Sequence, residues 1–483
     1  MPIVYDAVNN VMTVTGYTEA VPCTFSDLWN ADKAGSRQLL APTAAAVDLS
    51  LTTQPKPTDD KALKLNLIIT AFSVAGTVTL TGKDKDNVAQ TEDISITATG
   101  TYVSAKWWLS IDVGGIDCTG TYTIEVSQSR WGVVWKSEPN QFRVDAKFTI
   151  GDYSVASWFA SEDEQVTFGD IGIAYLEILI YVNGYGHFRL GRLDDEATKR
   201  TSHGTELLDN SGAGGHRLIY AYLASDVGIF NSQLSTKTGG YIYPRDTSTM
   251  KVYQSLLNNI MFESGTSTLY VFYTTMSGQG LTYGLYQPIK ENYEELTVQG
   301  YLIGLALWVG QGVKNAKFKA NTYLVYPRDY GSGDSYLINV EADNWNFYSW
   351  YSATHRILRQ YEFDLAVTDK DGMAINGATV TLKDKDGNTV FSTTTDANGL
   401  IATQTVSRGY YAQATGNTLQ EYSPHTLTIT KNGYQTYVKK FILSAKTVWE
   451  IKLAKAVGVF LSFGQPVINL KGAEPENKDV MVL

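Results

Sequence analysis

Acidic side chains and tryptophans in the middle of the chain are the residues best suited to chemistry. Glycan hydrolysis uses two Asp or Glu side chains that flank the sugar bond, and a nearby aromatic ring can stack on the sugar. Nothing in the sequence holds two of these acids close together, so we favour solvated loops and predict no catalytic residue. The candidate acids are Asp194, Asp195, Asp226, Asp246, Glu341 and Asp343, and the candidate stacking platforms are Trp308 and Trp345.

The segment 341–348, which contains both acids and aromatic residues, is where we first expect contact with a carbohydrate or a partner. A strand that closes the core at a domain boundary is the alternative interpretation of this segment. The residues predicted for such a contact are Trp308, Glu341, Asp343 and Trp345.

Three histidines lie near one another in the sequence, beside acidic residues. His187, His203 and His216 fall within 30 residues, next to the acidic run 194–196. Imidazole and carboxylate groups are ligands for zinc or manganese. Loops between strands explain these residues better, and common catalytic and cofactor-binding motifs are missing. We therefore predict no metal site and no cofactor.

Three Asp-Lys-Asp runs, at 84–86, 369–371 and 384–386, resemble the beginning of a calcium-binding loop. Such a loop needs further acidic ligands and a distal Glu, which are missing, and the lysine offsets the negative charge that calcium requires. Asp-Gly pairs supply the positive φ angles of tight turns. We therefore predict hairpin turns here.

Composition and charge exclude several classes of protein. Hydrophobic residues make up 43% of the 483 residues, so the chain is not disordered. A net charge of −10 argues against a nucleic-acid partner, because phosphates attract a surplus of Lys and Arg. No apolar run reaches about 18 residues, so we expect no membrane insertion.

The chain has two cysteines, Cys23 and Cys118. They could form a disulfide only if their Cα atoms came within about 7 Å of each other. We predict that both are free, buried thiols.

Alternating apolar residues between turn signals predict an all-β, multi-domain protein. Short, regularly spaced strands over 61–146 are typical of an immunoglobulin-like sandwich. Over 147–358 several strands are apolar on both faces, which predicts a parallel β-helix, with a jelly roll or second sandwich as the alternative. The N-terminal piece at 1–60 is predicted to contain a short helix capped by Thr24 and a Pro-containing arm at 42–60. The remaining predicted segments are a β-sandwich at 359–455 and an extended tail at 456–483.

The C-terminal sandwich resembles a known family of modules. The resemblance is carried by Asp371-Gly372, Ile375-Asn376-Gly377-Ala378, Thr395-Asp396-Ala397-Asn398-Gly399 and Lys431-Asn432-Gly433-Tyr434. These runs are similar to the carboxypeptidase regulatory-like, or transthyretin-like, β-sandwich. In that family the module is an accessory or cohesive unit that normally lacks catalytic residues, so the resemblance implies none here.

The tail predicts contact between chains. An apolar strand that follows a finished domain invites pairing with the open edge of a neighbouring chain, and folding back on its own chain is the alternative. The residues predicted for an inter-subunit strand are Val459, Leu461, Phe463, Val467, Ile468 and Leu470.

The order of modules resembles surface proteins of tailed viruses, such as capsid decorations, tail fibres and tailspikes. This resemblance implies a non-enzymatic virion structural protein, displayed as a homo-oligomer that contacts other virion proteins or host surface glycans. A trimer is favoured by analogy with β-helix spikes. The first residues lack a basic and apolar leader, so we expect synthesis in the host cytoplasm without a signal peptide. The alternatives are a tailspike-like polysaccharide depolymerase and a prokaryotic surface filament or adhesin subunit.

Overall fold

The computed structural model describes residues 3–55, 63–212, 214–263, 267–279, 281–288 and 293–456. Over these ranges the chain is almost entirely β, with one α-helix of 10 residues, which confirms the predicted all-β, multi-domain class. None of the helices in these ranges has the length and apolar character of a membrane span. The chain divides into two compact units, Met1–Tyr286 with Glu295–Leu302, and Gln287–Glu294 with Ile303–Leu483.

The described part of the first unit begins with a hairpin and the helix. The strands are β1 (Ile3–Asp6) and β2 (Val11–Val14), which pair antiparallel, and the helix is α1 (Phe25–Ala34). The Thr24 hydroxyl accepts the Asp27 N–H, and the Asp27 carboxylate accepts the Thr24 N–H. This reciprocal pair satisfies two amides at the helix start and confirms the cap predicted at Thr24.

An antiparallel sandwich follows the helix. Its strands are β3 (Arg37–Ala44), β4 (Leu65–Val74), β5 (Gly76–Lys83), β6 (Ala89–Ile96), β7 (Gly100–Val103), β8 (Ser110–Cys118) and β9 (Thr121–Gln128). One sheet has the order β3-β9-β4-β7 and the other β6-β5-β8. Apolar side chains of alternate residues meet between the sheets, where Trp108 is fully buried. Cys23 and Cys118 are both free and buried, as predicted.

Part of the predicted Pro-containing arm is a strand of this sandwich. Pro42 lies in β3, which among the described strands pairs only with β9 and is therefore an edge strand. An edge tolerates proline because one side of the strand has no ladder partner. Two irregularities in the β3 register break the alternation that would have revealed the strand in the sequence. The sandwich consequently includes 37–44, outside the predicted range of 61–146.

The rest of the first unit consists mainly of short strands that stack in parallel. They are β10 (Val134–Glu138), β11 (Gln141–Val144), β12 (Lys147–Ile150), β13 (Trp158–Ser161), β14 (Gln165–Phe168), β15 (Ile178–Val182), β16 (His187–Leu190), β17 (Arg192–Asp195), β18 (Arg200–Ser202), β19 (Glu206–Asp209), β20 (His216–Ala221), β21 (Asp226–Phe230), β22 (Gln233–Pro244), β23 (Thr249–Tyr253), β24 (Leu256–Glu263), β25 (Thr268–Phe272), β26 (Thr275–Ser277) and β27 (Tyr283–Tyr286). After β28 (Tyr293–Glu294) of the second unit comes β29 (Leu296–Gln299).

These strands form three parallel columns. Column one is β2-β12-β15-β20-β22-β24-β27, column two is β13-β16-β21-β23-β25, and column three is β11-β14-β19-β22-β24-β26-β29. The long strands β22 and β24 each contribute one half to column three and the other to column one. The chain visits the columns in the same order on successive turns. This parallel pairing favours the β-helix over a jelly roll, whose strands are antiparallel.

The turns of this stack differ in length. Ser232, Ser255 and Thr274 occupy equivalent positions on successive turns, spaced 23 and 19 residues apart. The antiparallel hairpin β17–β18 is inserted between β16 and β19, which lengthens that turn. Unequal turns explain why no fixed period is visible in the sequence.

Helix α1 packs against the first turn of the stack. The Phe25 ring lies 4.9 Å from Phe159 and 6.3 Å from Phe148, measured between centroids, and all three side chains are buried. The carboxylate of Asp32, also buried, accepts backbone N–H groups from 132–134. The helix therefore covers apolar side chains that a neighbouring turn would otherwise cover.

The second unit contains parallel strands and another sandwich. Its strands after β28 are β30 (Ile303–Leu307), β31 (Gly312–Lys314), β32 (Ala316–Lys319), β33 (Tyr323–Pro327), β34 (Gly333–Ile338), β35 (Glu341–Ala342), β36 (His355–Asp369), β37 (Thr379–Lys383), β38 (Thr389–Thr394), β39 (Gln404–Ala412), β40 (Gln420–Glu421), β41 (His425–Thr430), β42 (Tyr437–Phe441) and β43 (Thr447–Leu453), with a 3₁₀ turn at Gln413–Thr415. The parallel pairs are β30–β33, β31–β34, β34–β36 and β32–β35.

Strand β36 runs from the parallel stack into the C-terminal sandwich. It pairs in parallel with β34 over its first half and with β43 over its second half, and it pairs antiparallel with β39. The opposite sheet has the order β38-β37-β41-β42, and Phe363 is fully buried between the sheets.

The three Asp-Lys-Asp runs form the predicted turns. In each, the first carboxylate accepts two backbone N–H groups: Asp84 from Asp86 and Val88, Asp369 from Asp371 and Met373, and Asp384 from Asp386 and Asn388. These carboxylates hold the chain reversal, which is the common use of Asp at such positions.

Candidate functional site: a tyrosine face on column one

A row of tyrosines runs along the outer side of column one. Because side chains alternate between the faces of a strand, Ile180, Ile219 and Ile242 are fully buried and the tyrosine that follows each one lies on the opposite side. Tyr181 and Tyr243 are partly exposed, whereas Tyr220 lies between neighbouring side chains and is only 7% exposed. Parallel register then aligns Tyr181, Tyr220 and Tyr243 on three adjacent strands. We call these three residues the tyrosine ladder and the outer side of column one the tyrosine face.

The ladder rings pack side by side. Ring centroids of Tyr181 and Tyr220 are 5.5 Å apart, and those of Tyr220 and Tyr243 are also 5.5 Å apart. The Arg217 guanidinium lies 5.2 Å from the Tyr220 ring and 5.5 Å from the Tyr243 ring. Aromatic pairs and cation–π contacts of this kind are favourable and fix the rings in place.

The hydroxyls of Tyr181 and Tyr243 stay protonated at neutral pH. Burial is the main cause that raises the pKa of Tyr181 and of Tyr243 above the ordinary value of 10.0. The Tyr181 hydroxyl also lies 3.0 Å from the hydroxyl of Tyr153, whose side chain is 52% exposed. The tyrosine face therefore offers neutral hydroxyl groups beside apolar ring surface.

A hollow of about 300 Å³ opens beside the ladder at Tyr181. Thr149 is the residue in register with Tyr181 on the preceding strand, and its small side chain leaves room where another ring would lie. Lys147 and Glu177 also line the hollow, with 3.7 Å between the ammonium and the nearer carboxylate oxygen. The other lining residues are Val11, Phe148, Leu176 and Ile178.

The predicted contact residues have different partners in the structure. The Arg328 guanidinium lies 5.5 Å from the Trp308 ring. Trp345 stacks on Tyr411, with centroids 5.6 Å apart, and the Arg359 guanidinium lies 3.8 Å from its centroid. Glu341 and Asp343 are exposed, and the Asp343 carboxylate accepts the Ala320 N–H. Trp345 thus contacts the second unit's own side chains, and its contact with a carbohydrate or partner stays a prediction.

Three of the candidate acids, Asp194, Asp195 and Asp226, have lowered pKa values and are therefore held as anions. Burial alone would raise the pKa of Asp226, but interactions with His187 and Arg189 outweigh it and lower that pKa to about 2. Hydrogen bonds lower the pKa of Asp194 and of Asp195. A general acid for glycan hydrolysis needs a raised pKa, the opposite direction. Asp246 lies in the turn after β22.

The three neighbouring histidines have separate structural partners. His187 stacks on Trp158 with 3.8 Å between centroids, His203 Nδ1 lies 2.5 Å from a carboxylate oxygen of Asp163, and buried His216 Nε2 lies 2.7 Å from Asp209. Within the described residues there is no group of three or more His, Cys, Asp or Glu that could hold a metal ion.

The predicted inter-subunit strand, at Val459, Leu461, Phe463, Val467, Ile468 and Leu470, lies outside the described residues.

The sequence matches no model of a protein family and no curated protein. Among solved structures, part of the chain is similar to the Bacillus anthracis TIE protein, with 19% sequence identity and a TM-score of 0.14. That similarity covers 20% of this chain and 19% of the other. It is too small to identify a shared fold.

Sequence reasoning missed the tyrosine face, although a signal for it exists. The dipeptide Ile-Tyr occurs at 180–181, 219–220 and 242–243. Each copy follows the same inward–outward alternation, so aligning the strands on this dipeptide would have placed the three rings on one face.

Proposed function

We propose that this chain is a non-enzymatic structural protein of a virus particle, displayed on the surface as an oligomer that touches neighbouring subunits or host glycans. The observation that carries the proposal is the tyrosine ladder, three rings and an arginine fixed on a stack of parallel strands. The module order supports placement on a virion, and the proposed contact surface is the tyrosine face.

The chemistry of this face suits binding. Tyrosine and arginine are enriched where proteins contact partners, and a tyrosine with two rotatable bonds loses little entropy on binding. Rings already held by one another lose less freedom still. The candidate acids Asp194, Asp195 and Asp226 have lowered pKa values and are ionised, which favours a binding role for them over general-acid catalysis.

The virion location is tested by mass spectrometry of purified virus particles and of host cell-surface fractions. We expect the protein in the particles, at a constant ratio to the major capsid protein through successive purification steps. Detection only in the cell-surface fraction would support the surface-filament alternative and overturn the virion proposal.

The contact surface is tested by replacing Tyr243, a partly exposed residue of the ladder, with Ala. Central aromatic side chains at an interface often contribute about 2 kcal/mol or more, so we expect binding to host cells or to a second copy of the chain to weaken about tenfold or more. Tyr270→Ala, on column two, is the control. Equal effects of the two changes would show that the tyrosine face has no special role.

A further inference from the structure

The hollow beside the ladder has one aromatic wall and a paired charge. The Tyr181 ring forms the wall, and Thr149 leaves the space beside it open. Its volume of about 300 Å³ is at the small end of ligand-binding pockets, which suits a single ring-sized ligand.

The charged pair can still bind a ligand. The Lys147 ammonium and the nearer Glu177 oxygen are 3.7 Å apart, beyond ordinary hydrogen-bond length, and the two side chains are 27% and 43% exposed. The other Glu177 oxygen accepts the Ala174 N–H. The ammonium can therefore donate to a ligand hydroxyl while the carboxylate accepts from the same hydroxyl or its neighbour.

The opposed charges select for a neutral ligand. An anion drawn to Lys147 would be repelled by Glu177, and a cation drawn to Glu177 would be repelled by Lys147. A purely apolar ligand would desolvate both charges without replacing their hydrogen bonds, which is unfavourable. A ligand with adjacent hydroxyls on one edge and C–H groups on one face satisfies the pair and also covers the Tyr181 ring.

We propose that this hollow binds one neutral pyranose unit of a glycan, with its C–H face on Tyr181 and adjacent hydroxyls on Lys147 and Glu177. The proposal rests on the proposed function insofar as it assigns a glycan contact to the tyrosine face. It adds the site, the class of sugar and the side chains that select it.

Saturation-transfer NMR on the full chain tests the proposal, with the methyl glycosides of glucose, galactose, mannose and N-acetylglucosamine as probes. We expect saturation of ring protons in at least one of them. Thr149→Tyr adds a fourth ring that fills the hollow, and it should abolish the signal. Lys147→Met removes a charge-assisted hydrogen bond and should weaken binding about tenfold.

Thr249→Tyr is the matched control, because Thr249 lies on column two in register with Asp226 and Thr268. It should leave sugar binding unchanged. Circular dichroism and the thermal midpoint identify any variant that fails to fold, and Lys147→Met remains informative if Thr149→Tyr does not fold.

Absence of saturation transfer to all four glycosides would overturn the proposal, as would undiminished binding by folded Thr149→Tyr. Preferential binding of inorganic phosphate or of a charged sugar would also contradict it. None of these results bears on whether the protein is found in virus particles, so failure here is distinguishable from failure of the virion proposal.

Discussion

A single buried carboxylate joins helix α1 to the chain that follows the first sandwich. Asp32 is fully buried and accepts N–H groups from Gly132, Val133 and Val134 at 2.7–3.0 Å. Removing it leaves buried donors without partners, and each such donor costs about 1–3 kcal/mol. We expect Asp32→Ala to lower the free energy of unfolding by about 3 kcal/mol, measured by urea denaturation.

Asp32→Asn should lower stability less than Asp32→Ala, because its amide oxygen still accepts a hydrogen bond. Asp86→Ala, at an exposed turn, is the control and should change stability little. Equal stability of Asp32→Ala and the unmodified protein would show that the helix is held by packing alone.

Two buried histidines make the second unit sensitive to mild acid. Burial lowers the pKa of His355 and of His425 below the ordinary 6.5, although Asp329 and Asp334 near His355, and Asp384 and Glu421 near His425, oppose the shift. The unfolded chain therefore takes up protons first as the pH falls below 6.5. We expect the free energy of unfolding to decrease from pH 7 towards pH 5, measured as the urea midpoint.

His355→Gln should reduce this pH dependence. His355 Nε2 lies 2.9 Å from the Ser335 hydroxyl, a contact that a glutamine amide can replace without a titratable ring. His203→Gln, at an exposed site, is the comparison variant. A pH dependence unchanged in His355→Gln would assign the effect to other groups.

In the second unit, Asn315 and Asn339 follow two neighbouring parallel strands and are joined by a hydrogen bond. The Asn339 amide group donates to Asn315 and to Glu362, and its carbonyl oxygen accepts the Glu362 N–H. Both asparagines have positive φ angles, 52° and 51°, a conformation that asparagine tolerates better than most residues. This series of hydrogen bonds ends at Glu362, which also forms ion pairs with Lys314 and Lys446.

Substitution of Asn339 separates hydrogen bonding from backbone strain. Asn339→Gly keeps the positive φ and loses the side-chain bonds, so we expect a loss of about 1–2 kcal/mol. Asn339→Ala also loses the side-chain bonds but retains a Cβ in that conformation, so it should be about 1–2 kcal/mol less stable than Asn339→Gly. Chemical denaturation measures both, and an alanine variant as stable as the glycine variant would contradict the strain argument.

The negative charge on Glu362, which lies in β36, stabilises the second unit through its contacts with Lys314, Lys446 and Asn339. Its burial would raise the pKa, but Lys314, Lys446 and Asn339 outweigh burial and lower the pKa of Glu362 to about 2. The ionised carboxylate therefore contributes stability above about pH 4.5, and this contribution is lost as the pH falls towards 2. Glu362→Gln should flatten the stability curve over this acidic range, measured by thermal unfolding from pH 5 to pH 3.

At the scale of the whole molecule, the proposed role requires self-association. Negative-stain imaging of the recombinant protein over a range of concentrations measures it directly. We expect discrete trimers, in line with the analogy to β-helix spikes. Long polymers would favour a surface filament instead, and monomers at every concentration would contradict a homo-oligomer that forms without other virion proteins.

Local signals allow some elements to be predicted from sequence, and distant pairing hides others. Thr24 and Asp27 lie three residues apart, so the helix start is visible in the sequence, as are the Asp-centred turns. β3 is not visible, because its register irregularities and Pro42 disrupt the alternation. The partners of Trp345 are also hidden in the sequence, because Arg359 and Tyr411 are brought to it by β36 and β39.

The sequence by itself determined the β class, the serial order of strands and turns, and the alternation that makes Tyr181, Tyr220 and Tyr243 face outward. Only the tertiary structure decided that these rings touch, since they are 39 and 23 residues apart in the chain. Parallel pairing joins residues one full turn apart, and the length of each turn depends on insertions such as β17–β18. The register, and with it the tyrosine face and its hollow, therefore arises only when the turns stack.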